Sequence, residues 1–222
     1  MYNPTKLRLS AEEMELVNSD KWILTKHGIV KKVCEMFGEI NEMMKNEVAT
    51  RDYLFPQNLR HRGGKISKGE NYQMLPYVIL DYPSFFVKNN IFAIRTMFWW
   101  GNFFSITLHL SGYHKTKFIN TPSVLSFLKE NSFFICIGED EWEHHFKEEN
   151  YRLAAAISDE EYDKIMELDF FKAAKKLPLA QWDHAYDFIM KSFGEILDLL
   201  QINFQDDKKD LLPGSPIVGS GP

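Results

Sequence analysis

The sequence lacks the features that mark several specialised classes of protein. Its 222 residues include only two cysteines, which make no disulfide framework and cannot by themselves fill a four-ligand zinc site. The most apolar stretch, residues 91–110, is interrupted by Arg95, Gly101, Asn102 and His109, whereas a membrane span needs about 20 predominantly apolar residues. We therefore predict no transmembrane segment. We also predict no secretory signal, because no uninterrupted apolar segment follows the N-terminus.

Several familiar cofactor and catalytic motifs are also missing. The chain has no Gly-x-Gly-x-x-Gly dinucleotide motif, no Gly-x-x-x-x-Gly-Lys-Ser/Thr phosphate loop and no Gly-x-Ser-x-Gly nucleophile motif. We therefore predict no cofactor. The net charge of −5 argues against a general nucleic-acid binder, and we predict no nucleic-acid partner. These absences leave open whether the protein is an enzyme.

What is present is a globular composition that is rich in aromatic residues. Hydrophobic residues make up 45 %, charged residues 26 % and aromatic residues 14 % of the chain, as in an ordinary folded domain. Eleven of the aromatic residues fall within 72–110. Cys34 and Cys136 lie in apolar segments and are predicted to be buried thiols of a cytoplasmic protein.

The first 50 residues have helical periodicity. Ser10 and Glu13 have the spacing of a capping box and predict a short helix. Asp20 is the predicted cap of a second, longer helix. The apolar residues of this helix recur at three- and four-residue steps and predict one buried stripe: Val30, Val33, Cys34, Phe37, Ile40 and Met44. A glycine inside a helix costs about 1 kcal/mol relative to alanine, so Gly28 and Gly38 are where this helix would break.

Residues 51–71 are predicted to form a long basic loop with three glycines. Loops longer than about 12–15 residues are commonly functional or disordered. The basic side chains and the backbone amides at the glycines suit an anionic group, and the segment would then close as a lid over the sheet. The alternative is a solvated surface loop. The residues of interest are Arg60, Arg62, Lys65 and Lys68.

Between residues 72 and 110 the periodicity changes to two, as in strands. The predicted strands are 77–82, closed by Pro83, then 91–99 and 103–110. Pairing Trp99 with Phe103 places Arg95 opposite Thr107 and leaves one face strongly apolar, whereas a one-residue slip mixes the two faces. This register implies a three-residue connection, 100–102, with Gly101 or Asn102 at positive φ.

The rest of the chain is predicted to contain one buried strand among helices. Thr121 and Pro122 open a short helix, residues 133–137 form the strand, and Ser158 and Glu161 form a second capping box. The last helix has an unbroken apolar stripe of eight residues: Trp182, Ala185, Tyr186, Ile189, Phe193, Ile196, Leu197 and Leu200.

These elements predict one α+β domain over residues 1–204, in which helices cover an antiparallel meander. Its parts are a helical segment over 1–50, a sheet-forming segment over 72–137 and a helical segment over 139–204. Residues 205–222 are predicted to be a flexible tail.

The polar face of the predicted meander is the first candidate site. Its residues are Tyr77, Asp81, Arg95, Trp99, Thr107 and His109. Apolar walls with a few convergent polar groups are typical of a small-molecule pocket. The guanidinium of Arg95 suits a carboxylate or phosphate, and His109 is the best-placed general acid or base because its ordinary pKa of about 6.5 is near neutrality. The alternative is the solvated face of an antiparallel sheet.

The second candidate is the acidic, histidine-containing segment after residue 138. If it is helical, Glu141 shares a face with His144, and His145 shares one with Glu149. Glu-x-x-His is half of the di-iron motif of helical bundles, which need it twice, and no second copy occurs. The alternative is a solvated helix face.

Three functions follow from these candidates. The leading hypothesis is a pocket for a small anionic ligand, anchored by Arg95 and oriented or protonated by His109. The second is a protein–protein interaction module that uses the acidic segment 139–163, an exposed tryptophan or a homodimer through the last helix. The third is a metal-dependent enzyme that uses Glu141, His144 and His145.

Overall fold

An antiparallel sheet of seven strands forms the centre of the protein and confirms the predicted α+β class. The computed structural model describes residues 7–55, 63–119 and 123–210. The strands are β1 (Lys65–Tyr72), β2 (Leu75–Val87), β3 (Asn90–Trp99), β4 (Phe103–Ser111), β5 (Phe134–Cys136), β6 (Tyr151–Leu153) and β7 (Phe170–Pro178). Their order across the sheet is β1-β2-β3-β4-β7-β5-β6, so the first four form a meander.

The described residues form six α-helices beside the sheet. They are α1 (Ala11–Val17), α2 (Asp20–Thr50), α3 (Gly112–Phe118), α4 (Ser123–Glu130), α5 (Asp159–Glu167) and α6 (Ala185–Asp210). Both predicted capping boxes are present, at Ser10 on α1 and at Ser158 on α5. The second helix runs without a break through both of its glycines, and Asp20 is its first residue rather than its cap.

The hairpin between β3 and β4 has the predicted register. Trp99 pairs with Phe103, Arg95 with Thr107, and Ala93 with His109, and Gly101 in the connection has a φ of +72°. The alternation of side chains therefore puts the predicted apolar face, with Ile94, Phe98 and Leu108, on the opposite side of the hairpin from Arg95 and His109, as the pleat requires.

The core lies between this apolar face and the two long helices. Residues of β3 and β4 such as Ile94, Phe104 and Leu108 are fully buried against α2 and α6. The last helix contributes a stripe of buried residues at the predicted three- and four-residue spacing: Ala185, Ile189, Phe193, Ile196, Leu197 and Leu200. Trp182 lies just before this helix, in a short 3-10 segment, and packs on the same core.

The basic segment departs from the prediction, because the part from Lys65 onward is strand β1 rather than loop. Among the described strands, β1 pairs only with β2 and lies at the edge of the sheet. Charged residues are common on edge strands because they discourage pairing with another strand. Arg60 and Arg62 lie outside the described residues.

The second strand also differs, since it continues past Pro83 to Val87. The Tyr82–Pro83 peptide bond is cis, and the register shifts between Asp81 and Ser84. Proline is tolerated at such irregularities because it has no N–H to leave unpaired.

Some elements were not predicted from the sequence, namely β6, β7 and α3. The last helix is also longer than predicted, because it continues through residues 205–210 of the predicted tail. Thr121, Pro122 and residues 211–222 lie outside the described residues. No helix in the described ranges is both long and apolar enough to cross a membrane.

Candidate functional site

The polar face of the sheet is covered by the chain between β5 and β6, residues 137–150, which we call the strap. The strap contains no helix, so the prediction that Glu141, His144 and His145 are spaced on a helix is wrong. Its residues contact side chains of the sheet instead. The polar face is therefore neither an open solvated surface nor an empty pocket over its whole area.

A buried lysine attaches the strap to the far side of this face. Lys172 of β7 is fully buried, and its Nζ donates to the backbone carbonyls of Glu141 at 3.0 Å and Glu143 at 2.5 Å. The ring of Tyr151 lies 5.3 Å from the same nitrogen. Burial lowers the pKa of Lys172 to about 8, so the ammonium form still predominates at neutral pH.

Tyr72, the last residue of β1, attaches the strap near the other edge of the sheet. Its hydroxyl accepts hydrogen bonds from the backbone N–H groups of His144 at 2.7 Å and His145 at 3.0 Å. The same hydroxyl donates to Oε2 of Glu143 at 2.8 Å. Burial raises the pKa of Tyr72, and the hydroxyl keeps its proton at all physiological pH values.

Arg95 is joined to the predicted site residue Asp81 on the neighbouring strand. Arg95 Nε donates to Oδ1 at 2.7 Å and Nη2 to Oδ2 at 2.9 Å, which is the strong two-bond geometry of arginine and carboxylate. Nη1 lies 3.0 Å from Nε2 of His144. Burial, with the positive charges of Lys172 and Arg95, holds the pKa of His144 well below its ordinary value, so the imidazole is neutral and accepts this bond.

His109 lies beneath the strap rather than in open solvent. It is 4 % exposed, its Nε2 is 3.0 Å from Oε2 of Glu141, and the ring of Trp142 packs edge-on at 5.7 Å. Burial and the nearby charges of Lys172 and Arg95 lower the pKa of His109 to about 3. The imidazole is therefore neutral at physiological pH and donates to the Glu141 carboxylate. Its predicted role as an acid or base stays a prediction.

The remaining predicted residues occupy different surroundings. Tyr77 lines a cleft described below, whereas Trp99 packs with Ile79, Met97 and Phe103 in a separate apolar cluster. Thr107 is buried next to Arg95 in the sheet. The structure thus places Asp81, Arg95 and His109 near one another on one face, as the register implied. Trp99 lies farther along the same face, opposite Tyr77.

A cleft of about 740 Å³ lies beside the strap, over the first three strands. Its floor includes the Asp81–Arg95 pair, and two partly exposed rings form a wall. Phe86 is 39 % and Trp142 48 % exposed, and their centroids are 6.4 Å apart. The residues that line the cleft are Gly63, Lys65, Ser67, Tyr77, Ile79, Asp81, Ser84, Phe86, Arg95 and Trp142.

Sequence reasoning did not identify Phe86 and Trp142 as site residues. Phe86 lies beyond Pro83, where the prediction ended the strand, although its alternation with Ser84 places both on the polar face. Trp142 belongs to the acidic segment, which no local pattern connects with the sheet. Only the fold shows that these two rings meet.

The three residues of the metal hypothesis point to three different partners. Glu141 contacts His109, His144 contacts Arg95, and His145 Nε2 is 3.5 Å from Oε2 of Glu143. Over residues 7–55, 63–119 and 123–210, no group of three or more His, Cys, Asp or Glu side chains is arranged to hold a metal ion.

No protein-family model, curated protein or solved structure matches this chain.

Proposed function

We propose that the protein binds a small planar anion, of the aromatic carboxylate class, in the cleft beside the strap. The observation that carries this proposal is that one concave surface combines two partly exposed aromatic rings with a lysine that no described carboxylate neutralises. Concave sites with apolar walls and a few placed polar groups are the usual form of small-ligand pockets.

The charges of the cleft favour an anion. Asp81 and Arg95 neutralise each other through two hydrogen bonds, which leaves the ammonium of Lys65 as the net charge among the lining residues. The edge of Arg95 that would hold a carboxylate is already occupied by Asp81. Lys65, rather than the predicted Arg95, is therefore the anchor of the proposed site, and Arg95 contributes positive potential from the floor.

The rings favour a flat ligand. Phe86 lies beside Trp142, and the guanidinium carbon of Arg95 is 5.7 Å from the centroid of Phe86. An aromatic ligand would replace water on the exposed part of these rings and stack in offset or edge-on geometry, which is worth about 0.5–1.5 kcal/mol beyond the area that it buries. The side chains of Tyr77 and Ser84 also line the cleft; the Ser84 hydroxyl donates a long hydrogen bond of 3.5 Å to the Asp81 carbonyl and can still accept one from a ligand.

The proposal is for binding, not for proton transfer. His109 is not among the residues that line the cleft, and Trp142 packs against it. A ligand held by Lys65 would meet the fixed pair Asp81–Arg95, whose two side chains are already bonded to each other. The site therefore supports a binding protein or a ligand-controlled module.

Isothermal titration calorimetry with benzoate and the uncharged benzamide tests the proposal. We expect benzoate to bind more tightly, and Lys65→Gln to weaken benzoate binding about tenfold, because a hydrogen bond to a charged group is worth about 1.5–3 kcal/mol and less where exposed. Lys68→Gln is the matched control, since Lys68 is also exposed but lies on the opposite face of β1. Equal affinity for benzoate and benzamide, absence of binding, or equal effects of the two substitutions would contradict the proposal.

A further inference from the structure

The N-terminal helices carry a group of exposed apolar side chains that the other described residues leave uncovered. α1 contains no buried residue, and the first buried residue of α2 is Val33. Six apolar residues on these helices are 38–68 % exposed: Met14, Leu16, Val17, Trp22, Ile23 and Leu24. We call them the α1–α2 surface. Scattered exposed apolar residues are normal, whereas six within the eleven positions 14–24 form a dense group of the kind found at interaction sites.

The length of α2 explains why this part of the chain is uncovered. At 1.5 Å per residue, the helix is about 46 Å long, and its buried stripe runs only from Val33 to Val48. In the preceding turns, Lys26 forms an ion pair with Glu70 of β1, and Ile29 and Val30 pack against the edge of the core. A seven-residue helix such as α1 is too short to be stable alone in water, so its formation calls for a covering surface.

The charges of the two helices are opposite. α1 carries Glu12, Glu13 and Glu15 and no basic residue. The first thirteen residues of α2 carry the basic residues Lys21, Lys26, Lys31 and Lys32 against the single acid Asp20. Among the described residues, no ion pair joins α1 to α2. Lys26 and Lys31 pair within the chain with Glu70 and Glu35, and Glu13 accepts the capping hydrogen bond of Ser10. The charges left for a partner of the complementary pattern are Glu12 and Glu15 on α1 and Lys21 and Lys32 on α2.

We propose that a second copy of this chain covers the α1–α2 surface, in a two-fold dimer in which α1 of each copy lies against the start of α2 of the other. A two-fold axis makes every such contact occur twice, so the acidic helix of each copy meets the basic helix of its partner with the apolar residues between them. Two copies of the surface would bury on the order of 1,200 Å², which is within the range of specific interfaces. The glutamates of α1 oppose an anionic membrane, which would otherwise be the alternative occupant.

Sedimentation equilibrium over a range of protein concentrations tests the dimer. We expect twice the chain mass of 26.1 kDa, and we expect Leu24→Asp to raise the dissociation constant at least 100-fold. The matched control is Met43→Asp, because Met43 is on the same helix and is 45 % exposed but lies outside the surface. Monomeric wild type at all concentrations, or equal effects of the two substitutions, would overturn the proposal. Monomeric protein that sediments with phosphatidylserine vesicles would overturn it in favour of a membrane.

A charge-reversal pair tests the arrangement of the helices. We expect Glu12→Lys/Glu15→Lys to be monomeric, and likewise Lys21→Glu/Lys32→Glu, because each homodimer would bring like charges together. A one-to-one mixture of the two variants restores both complementary contacts and should form a heterodimer. If the mixture stays monomeric, or if either variant dimerises as well as wild type, the proposed pairing of α1 with α2 is wrong.

Discussion

Replacing Tyr72 with phenylalanine removes a single oxygen atom that holds three groups of the strap. The ring stays, so its contacts with Trp99 and Tyr77 are kept. The lost hydroxyl leaves the backbone N–H groups of His144 and His145 without their acceptor and removes the hydrogen bond that Tyr72 donates to Glu143. The substitution thus separates the hydrogen bonding of the strap from its packing.

The expected loss of stability follows from these groups. A buried donor left unpaired costs about 1–3 kcal/mol, and two are left here, one on the buried residue His145. Water can reach part of the half-buried site, so we expect the free energy of unfolding to fall by about 3 kcal/mol rather than by the full sum. For a chain of this size the Tm should then fall by roughly 6–12 °C.

Urea denaturation measures the global loss, and amide hydrogen exchange at His144 and His145 measures the local one. Tyr113→Phe is the control, because Tyr113 is 62 % exposed and its hydroxyl bonds no described residue. If Tyr72→Phe costs no more than this control, or if exchange at the two amides is unchanged, the strap is not held by Tyr72 and the explanation fails.

Three further predictions test the core, a helix cap and the buried histidine. Phe193→Ala, on the fully buried stripe of α6, should lower the free energy of unfolding by about 4 kcal/mol in urea; a loss under 1 kcal/mol would contradict the packing. Ser158→Ala should cost about 1 kcal/mol by the same measurement, whereas Ser10→Ala should cost much less, because α1 buries no residue within the single chain. Because His109 stays neutral down to about pH 3 when folded and gains a proton near pH 6.5 when unfolded, stability should fall as the pH drops through this interval, by up to about 1.4 kcal/mol per unit. His109→Gln should make that fall shallower in pH-dependent urea titrations, and an unchanged slope would show that His109 is not the cause.

The hairpin of β3 and β4 could be predicted from the local pattern of apolar and polar residues. Its register could be predicted because only one pairing sorts the side chains into an apolar and a polar face, and a one-residue slip reverses every side chain. The buried stripe of α6 was also predictable, because apolar residues at three- and four-residue steps fall on one face of a helix. Strand β7 was not, because Lys172, Lys175 and Lys176 interrupt its apolar pattern, and their fit in the sheet depends on partners elsewhere.

The candidate site was predictable only in part. The register implied that Asp81, Arg95 and His109 share a face, and they do. Asp81 occupies the carboxylate-binding edge of Arg95. This contact depends on the conformations of the two side chains, which the pairing of the strands does not set. The aromatic wall depends on Trp142, which reaches the sheet from a segment without a regular period.

The amino-acid sequence by itself determined the fold class, the apolar face of the meander and the polar residues opposite it, because burial of one face imposes a short-range period on each strand and helix. Only the tertiary structure decided what covers the polar face. The strap is held by contacts between residues that are 29 to 73 positions apart, and such contacts leave no periodic trace in the chain. The position of the cleft at the edge of the strap has the same cause, because Trp142 of its aromatic wall belongs to that segment.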